Sequence, residues 1–188
     1  MQIVLKDFPD HFETERLIVR APRSGDGLAM HEARVETHAQ LRDWPVVTPW
    51  AQTEPLLEES EAYCRRGQAA FLARTDLPML AFLKADQTFA GCISLHRMDW
   101  EVPRFEIGYW LRTSQQKKGL ALEAVNGITR FALQELQALR VEIHCNAANH
   151  ASRNVAERAG FTLEGILRNY KRLANGRVAD SCIYARLA

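Results

Sequence analysis

The stretch Gln116-Lys117-Lys118-Gly119-Leu120-Ala121 has the residue types of an anion site. A glycine lets backbone N–H groups approach a ligand closely, because no Cβ stands in the way. The first turn of a helix leaves N–H groups unpaired and carries the positive end of the helix dipole. Together these features suit a phosphate, and Lys117 and Lys118 add positive charge beside it. Asn149 and Ser152 open a second helical stretch. Both are preferred N-cap types, and the same side chains could bond a ligand, so two readings stand. A third set is acidic. Glu106 lies in a largely apolar run, and Glu142 and His144 share one face of an alternating run. A carboxylate in such a place either has a raised pKa and a proton to move, or pairs with a cation such as Arg104 or Arg140. The ion pair is the commoner outcome.

The elements that must position these groups follow from periodicity. Arg104 to Arg112 is rich in aromatic and β-branched residues and reads as a strand. Thr113 and Ser114 interrupt it and can cap a helix. Leu120, Ala124, Ile128, Phe131 and Leu136 then recur at helical spacing, which predicts a helix over 117–137. Arg140 to Asn146 alternates strictly and predicts a strand, and 149–159 predicts a short helix ended by Gly160. Before the loop, a strand is expected over 13–20, helices over 28–41 and 54–68, and strands over 70–74, 80–84 and 90–98. Asp86-Gln87 is read as a hairpin turn. After the second helix, 161–173 and 178–187 read as antiparallel strands joined at Asn175-Gly176, a strong hairpin signal. The order predicts one α+β domain, residues 1–188, around a mixed sheet.

Composition narrows the function. The chain has 188 residues, 47% hydrophobic and 25% charged, with a formal net charge of +1. So small a charge argues against a phosphate-tracking surface, so nucleic acid is not the expected partner. No apolar run reaches the roughly eighteen residues that span a bilayer, and the N-terminus lacks the pattern of a secretory signal. The four cysteines are far apart and form no C-x-x-C pair. They read as buried free thiols in a reducing, cytoplasmic compartment. The six histidines show no ligand spacing, so no metal is expected.

Gln116 to Ala121 fits the Gln/Arg-x-x-Gly-x-Gly/Ala signature of the GNAT acyltransferases, directly after a strand and at the start of a long amphipathic helix. Asn149-His150-Ala151-Ser152 followed by Glu157-Arg158-Ala159-Gly160-Phe161 resembles the Asn-x-x-Ser … Glu-x-x-Gly-Phe pattern of that fold. More narrowly, the chain is similar to the ribosomal-protein N-terminal acetyltransferases of the RimJ and RimL kind. That likeness rests on Glu15 to Arg20, Leu41 to Pro45, Glu106 to Leu111 and Phe161 to Gly165. The resemblance covers roughly residues 13–188.

The resemblance implies a sheet splayed between its two central strands and acetyl-CoA as the cosubstrate. It implies that Gln116, Lys117, Lys118, Gly119, Leu120 and Ala121 cradle the pyrophosphate. The pantetheine would pair with Trp110 and Arg112, the N–H of Leu111 or its neighbour would polarise the thioester carbonyl, and Asn149 and Asn154 would reach the cosubstrate. Ser152 or a water is the expected acid for the leaving thiolate, because Ala156 stands where many members carry a tyrosine. Glu106 and Glu142 are the candidate bases. Members of the RimL kind carry a carboxylate near the position of Lys171, which this chain lacks. Trp44, Trp50 and Tyr63, with Trp100 as a further candidate, would line the acceptor cleft; core packing is an equal reading for each. The acceptor expected from the likeness is a protein or peptide N-terminal α-amine. A small-molecule amine and a degenerate acetyl-CoA-binding sensor are the alternatives. Sequence leaves monomer and homodimer open.

Overall fold

The computed structural model describes residues 2–42, 49–173 and 176–188. Trp44 therefore lies outside the described residues, as does Asn175 of the expected hairpin turn. The elements are β1 (His11–Glu13), β2 (Leu17–Arg20), α1 (Gly27–Arg42), α2 (Leu57–Ala73), β3 (Leu80–Leu83), β4 (Phe89–Asp99), β5 (Arg104–Leu111), α3 (Leu120–Gln134), β6 (Arg140–Asn146), α4 (His150–Arg158), β7 (Thr162–Arg172) and β8 (Val178–Leu187). The strands form one sheet in the order β1-β2-β3-β4-β5-β6-β8-β7. All its pairings are antiparallel except that of β5 with β6.

That one parallel pairing shapes the molecule. β5 stays in register with β4 as far as Leu111↔Gly91, and β6 with β8 as far as Asn146↔Ser181. The two strands pair with each other only over Arg104–Glu106 and Arg140–Glu142. Beyond those residues they part, and the splay leaves a wedge in the middle of the sheet.

Alternation assigns the two faces. Leu17, Val19, Ile93, Leu95, Phe105, Ile107, Val141 and Ile143 face one way and bury against Leu120, Ala124, Ile128 and Phe131 of α3 and Ala156 of α4. On the opposite face, Leu80, Phe82, Phe89 and Cys92 pack against Met30 and Ala33 of α1 and Cys64 of α2. All four cysteines are buried and free. No helix among the described residues is long and apolar enough to cross a membrane. The outer strand β7 exposes Leu163, Ile166, Leu167 and Tyr170.

Three local expectations fail for identifiable reasons. Residues 70–74 are not a strand. The buried stripe Ser60, Cys64, Gly67 and Phe71 keeps α2 helical to Ala73, and Arg74 ends it in the left-handed conformation at φ 61. The run 13–20 is two strands rather than one, because a tight turn in which Thr14 N–H donates to Leu17 O folds β1 onto β2. Thr113 and Ser114 do not cap α3. They form a separate 3₁₀ turn, Thr113–Gln115, and the N-cap of α3 is Gly119 at φ 81.

Gly91 shows how tightly the wedge is built. Its φ is +152, and a Cβ there would lie 2.2 Å from the Trp110 carbonyl oxygen and 2.8 Å from the Leu111 Cα. Both neighbours are backbone, so the strands must separate to admit it. Gly91→Ala is expected to cost about 2–3 kcal/mol of stability. A melting temperature equal to that of the unmodified protein would show that β4 yields at no cost.

Candidate functional site

The wedge between β5 and β6 opens into a cavity of about 640 Å³. Its walls come from β5, the loop to α3, β6 and α4, with Gln40 and Leu41 of α1 at one edge. Of the residues expected at the site, Trp110, Leu111, Gln116, Lys117, Gly119, Leu120, Ala121, Asn149, Ser152 and Asn154 line it.

The loop is shaped by its own side chains. Gln116 donates through Nε2 to the Leu111 carbonyl at 3.0 Å and to Gln40 Oε1 at 2.9 Å, which caps the end of β5 and ties the loop to α1. Lys117 (φ 59) and Gly119 (φ 81) are both left-handed. Such a turn points successive N–H groups into one concavity, and α3 begins directly behind it. Arg16 of the β1–β2 corner donates to the Lys118 carbonyl at 2.9 Å and pairs with Glu123 in the first turn of α3. This brace on the loop has no signal in the local sequence pattern.

Lys118 and Arg112 sit differently from expectation. Neither lines the cavity. Lys118 Nζ turns back to Gln115 Oε1 at 3.0 Å. The Arg112 N–H donates to the Ala90 carbonyl at 2.9 Å, and its side chain pairs with Glu36 of α1. Amides alternate sides along an antiparallel strand, so with Arg112 N–H spent on β4 the Leu111 N–H turns toward the wedge.

On the opposite wall, Asn149 Oδ1 accepts from Ser152 N–H at 3.0 Å and is the N-cap of α4. The capping reading of Asn149 therefore holds, and its place on the cavity wall is compatible with the ligand reading as well. Across the wedge, the Tyr109 hydroxyl lies 2.9 Å from Ser152 Oγ. Ala156 of α4 is fully buried. Burial pushes the Tyr109 phenol up to about 12. The chemistry of Tyr109 was not legible in the sequence, where it is one aromatic among several in a strand.

The acidic set converges on a histidine. His144 Nε2 lies 2.8 Å from Glu142 Oε2, and its Nδ1 lies 3.3 Å from Glu106 Oε2. Ligand atoms of the three residues fall within 4.8 Å of one another. Only His144 of the three reaches the cavity wall. Arg97 pairs with Glu106 at 2.9 Å, and Arg140 pairs with Glu142 and Glu164. The ion-pair reading of both carboxylates is therefore realised, and these guanidinium groups supply the charge that a metal ion would otherwise bring. Burial pushes the Glu142 carboxyl up, but bonds from Arg140 and His144 outweigh it and hold it below the usual range. Lys171 faces the same cluster. Burial, with Arg97 adding to it, lowers its pKa, and Glu106 opposes both.

Two of the acceptor-side aromatics, Tyr63 and Trp100, lie away from the cavity wall. Tyr63 packs beside the α1–α2 core and does not line the cavity. Trp100 stacks on Phe8, meets Phe105 edge to face and donates to the Arg74 carbonyl, packed against the main core. Trp50 lies in the 3₁₀ turn Pro49–Gln52.

Comparison with known proteins agrees with this architecture. RimL, the ribosomal L7/L12 α-N-protein acetyltransferase, solved in complex with coenzyme A, superposes with a TM-score of 0.84 at 26% identity, covering 93% of this chain and 95% of that one. The acetyltransferase MccE, solved with acetyl-CoA and AMP, shares the fold at a TM-score of 0.86 and 22% identity, over 98% of this chain and 99% of that one. The Bacillus subtilis (strain 168) protein YdaF, provisionally named a ribosomal N-acetyltransferase, is 36% identical over 173 residues, 92% of each chain. The Escherichia coli (strain K12) ribosomal-protein-serine acetyltransferase is 32% identical over 130 residues, 69% of this chain and 72% of that one. A family model described as the acetyltransferase (GNAT) domain matches residues 16–162. A splayed β5–β6 pair, a glycine-opened helix behind the wedge and these relatives lead to one conclusion: the chain belongs to the GNAT acetyltransferase family.

Proposed function

We propose that the protein transfers an acetyl group from acetyl-CoA to a primary amine, and that the amine is the α-amino group of a protein or peptide N-terminus. The observation that carries the donor half is the wedge, whose floor is the left-handed Lys117–Gly119 turn at the start of α3. Its N–H groups and Lys117 suit a pyrophosphate. Bound acetyl-CoA would supply a thioester carbon open to attack and a thiolate leaving group.

The chain's own residues then have separate tasks. The Leu111 N–H, facing the wedge, donates to the oxygen that gains charge during transfer; one such donor is commonly worth about 10²–10³ in rate. His144 is the group of the acidic set that reaches the cavity, and we assign it the proton of the attacking amine. Glu142 fixes the ring through Nε2, and Glu106 lies beside Nδ1, so a proton taken up by the ring sits between two carboxylates. Glu106 and Glu142 thereby act through His144. Ser152 faces the sulfur from the start of α4.

An α-amine needs less help from a base than a lysine side chain does. Its ordinary pKa is about 7.7–8.0, against about 10.4 for lysine, so much more of it is neutral near pH 7. YdaF and the E. coli serine acetyltransferase, both named for ribosomal-protein substrates, support a protein acceptor. Thiol release from acetyl-CoA is the test, with peptides beginning Ser, Ala and Met set against amino acids, polyamines and aminoglycosides. Turnover confined to the peptides is expected. Turnover confined to a small amine would move the acceptor to that class, and coenzyme A binding without turnover on the whole panel would favour a sensor.

A further inference from the structure

We propose that Tyr109 is a positioning residue that aims the hydroxyl hydrogen of Ser152 at the departing sulfur. The inference rests on the acyl-transfer reading of the cavity. Tyr109 rises from β5 and Ser152 from the first turn of α4, on opposite walls of the wedge. The phenol oxygen stands 2.9 Å from Ser152 Oγ and 3.3 Å from the Ser152 carbonyl oxygen.

Hydrogen-bond arithmetic gives this contact its meaning. Each hydroxyl has one hydrogen to give. A phenol is the more acidic of the two groups and the better donor to the other. The phenol hydrogen has two acceptors, Oγ at 2.9 Å and the Ser152 carbonyl at 3.3 Å; when it goes to the nearer Oγ, the serine hydrogen is left to turn into the cavity, and donation into Oγ also strengthens the bond that Ser152 makes. Asn149 holds the Ser152 backbone through its N–H, and Tyr109 holds the side chain. Cys145 on the same wall is already within hydrogen-bonding reach of the Ser152 hydroxyl, and without the phenol oxygen that thiol is its remaining side-chain partner there. With the buried Ala156 on α4, the phenol at this site comes from β5.

The step balances without a redox partner. The amine nitrogen bonds the carbonyl carbon, the C–S bond breaks, and its electron pair goes to sulfur. The surplus proton on nitrogen goes to His144 and from there to solvent. Ser152 donates a hydrogen bond to the sulfur anion and keeps its proton, as does Tyr109. Solvent protonates the thiolate after release.

Tyr109→Phe keeps the ring and removes only the oxygen. The coenzyme A thiol is titrated in its complex with the protein by thiolate ultraviolet absorbance. The other titratable groups on the wall are Lys117 of the loop, His144 and Cys145 of β6 and Arg158 of α4. Burial pushes Cys145 up to about 11, away from the range of interest. The bound thiol is expected to ionise about one pH unit lower on the unmodified protein than on Tyr109→Phe or Ser152→Ala, the equivalent of a tenfold stabilisation of the thiolate. Adding Tyr109→Phe to Ser152→Ala is expected to shift nothing more. The kcat of Tyr109→Phe should fall about tenfold at unchanged acetyl-CoA KM, coenzyme A affinity and melting temperature. An unshifted thiol in Tyr109→Phe, or additive shifts in the double variant, would overturn the inference and leave the acyl-transfer reading standing. Failure of the unmodified protein to bind coenzyme A would overturn both.

Discussion

Gly119→Glu is expected to weaken coenzyme A binding at least ~100-fold, which corresponds to about 2.8 kcal/mol. Two causes add. Gly119 holds φ at 81, a left-handed conformation that costs a non-glycine residue about 1 kcal/mol or more. The added carboxylate then occupies the mouth of an anion site and opposes the pyrophosphate directly. The nearest cation, Arg16, lies 3.5 Å from where the new Cβ would stand, but it is already engaged with Glu123 and the Lys118 carbonyl. Gly119→Ala separates the causes, since it carries the conformational cost without the charge, and should lose about fivefold. Calorimetric titration with coenzyme A reads both. A Gly119→Glu affinity within threefold of the unmodified protein would remove the loop from cofactor binding.

His144→Gln should lower kcat by about 10²-fold, the usual worth of a positioned base, with coenzyme A affinity unchanged. Arg140 and His144 outweigh the burial of Glu142 and hold its carboxyl below the usual range. Glu142 therefore anchors the ring and does not compete for the proton. Glu142→Gln should then reduce kcat by less than His144→Gln, and Glu106→Gln should do the same, since each carboxylate works through the ring. A kcat for His144→Gln within threefold of normal would give the proton to water. A larger loss in Glu106→Gln than in His144→Gln would return the task to the carboxylate.

The elements at the site were largely legible in the sequence. The run Arg140–Asn146 is a strand with the predicted bounds, and the apolar stripe from Leu120 to Phe131 is the buried face of α3. Gly160 ends α4 at φ 79, as its type suggests. These features depend on neighbours a few residues apart, and local spacing encodes them. The end of α2 was misread because Ala70 to Arg74 has no local preference strong enough to choose. Packing of Phe71 in the core decided it.

By itself the sequence determined the α+β order, the glycine that opens α3, the N-cap Asn149, and the family. Each is a matter of residue type at short separation, where one side chain and the adjacent backbone settle the outcome. The tertiary structure alone decided where the chemistry meets. It turned Arg112 and Lys118 away from the cavity, kept Tyr63 among core residues, and set His144 between Glu106 and Glu142. It also brought Tyr109 to Ser152, 43 residues further along the chain. Such contacts arise because β5 and β6 pair for three residues and then part. The angle of that parting is set by the packing of two helices and two neighbouring strands, an interaction among distant segments to which no local pattern in the chain corresponds.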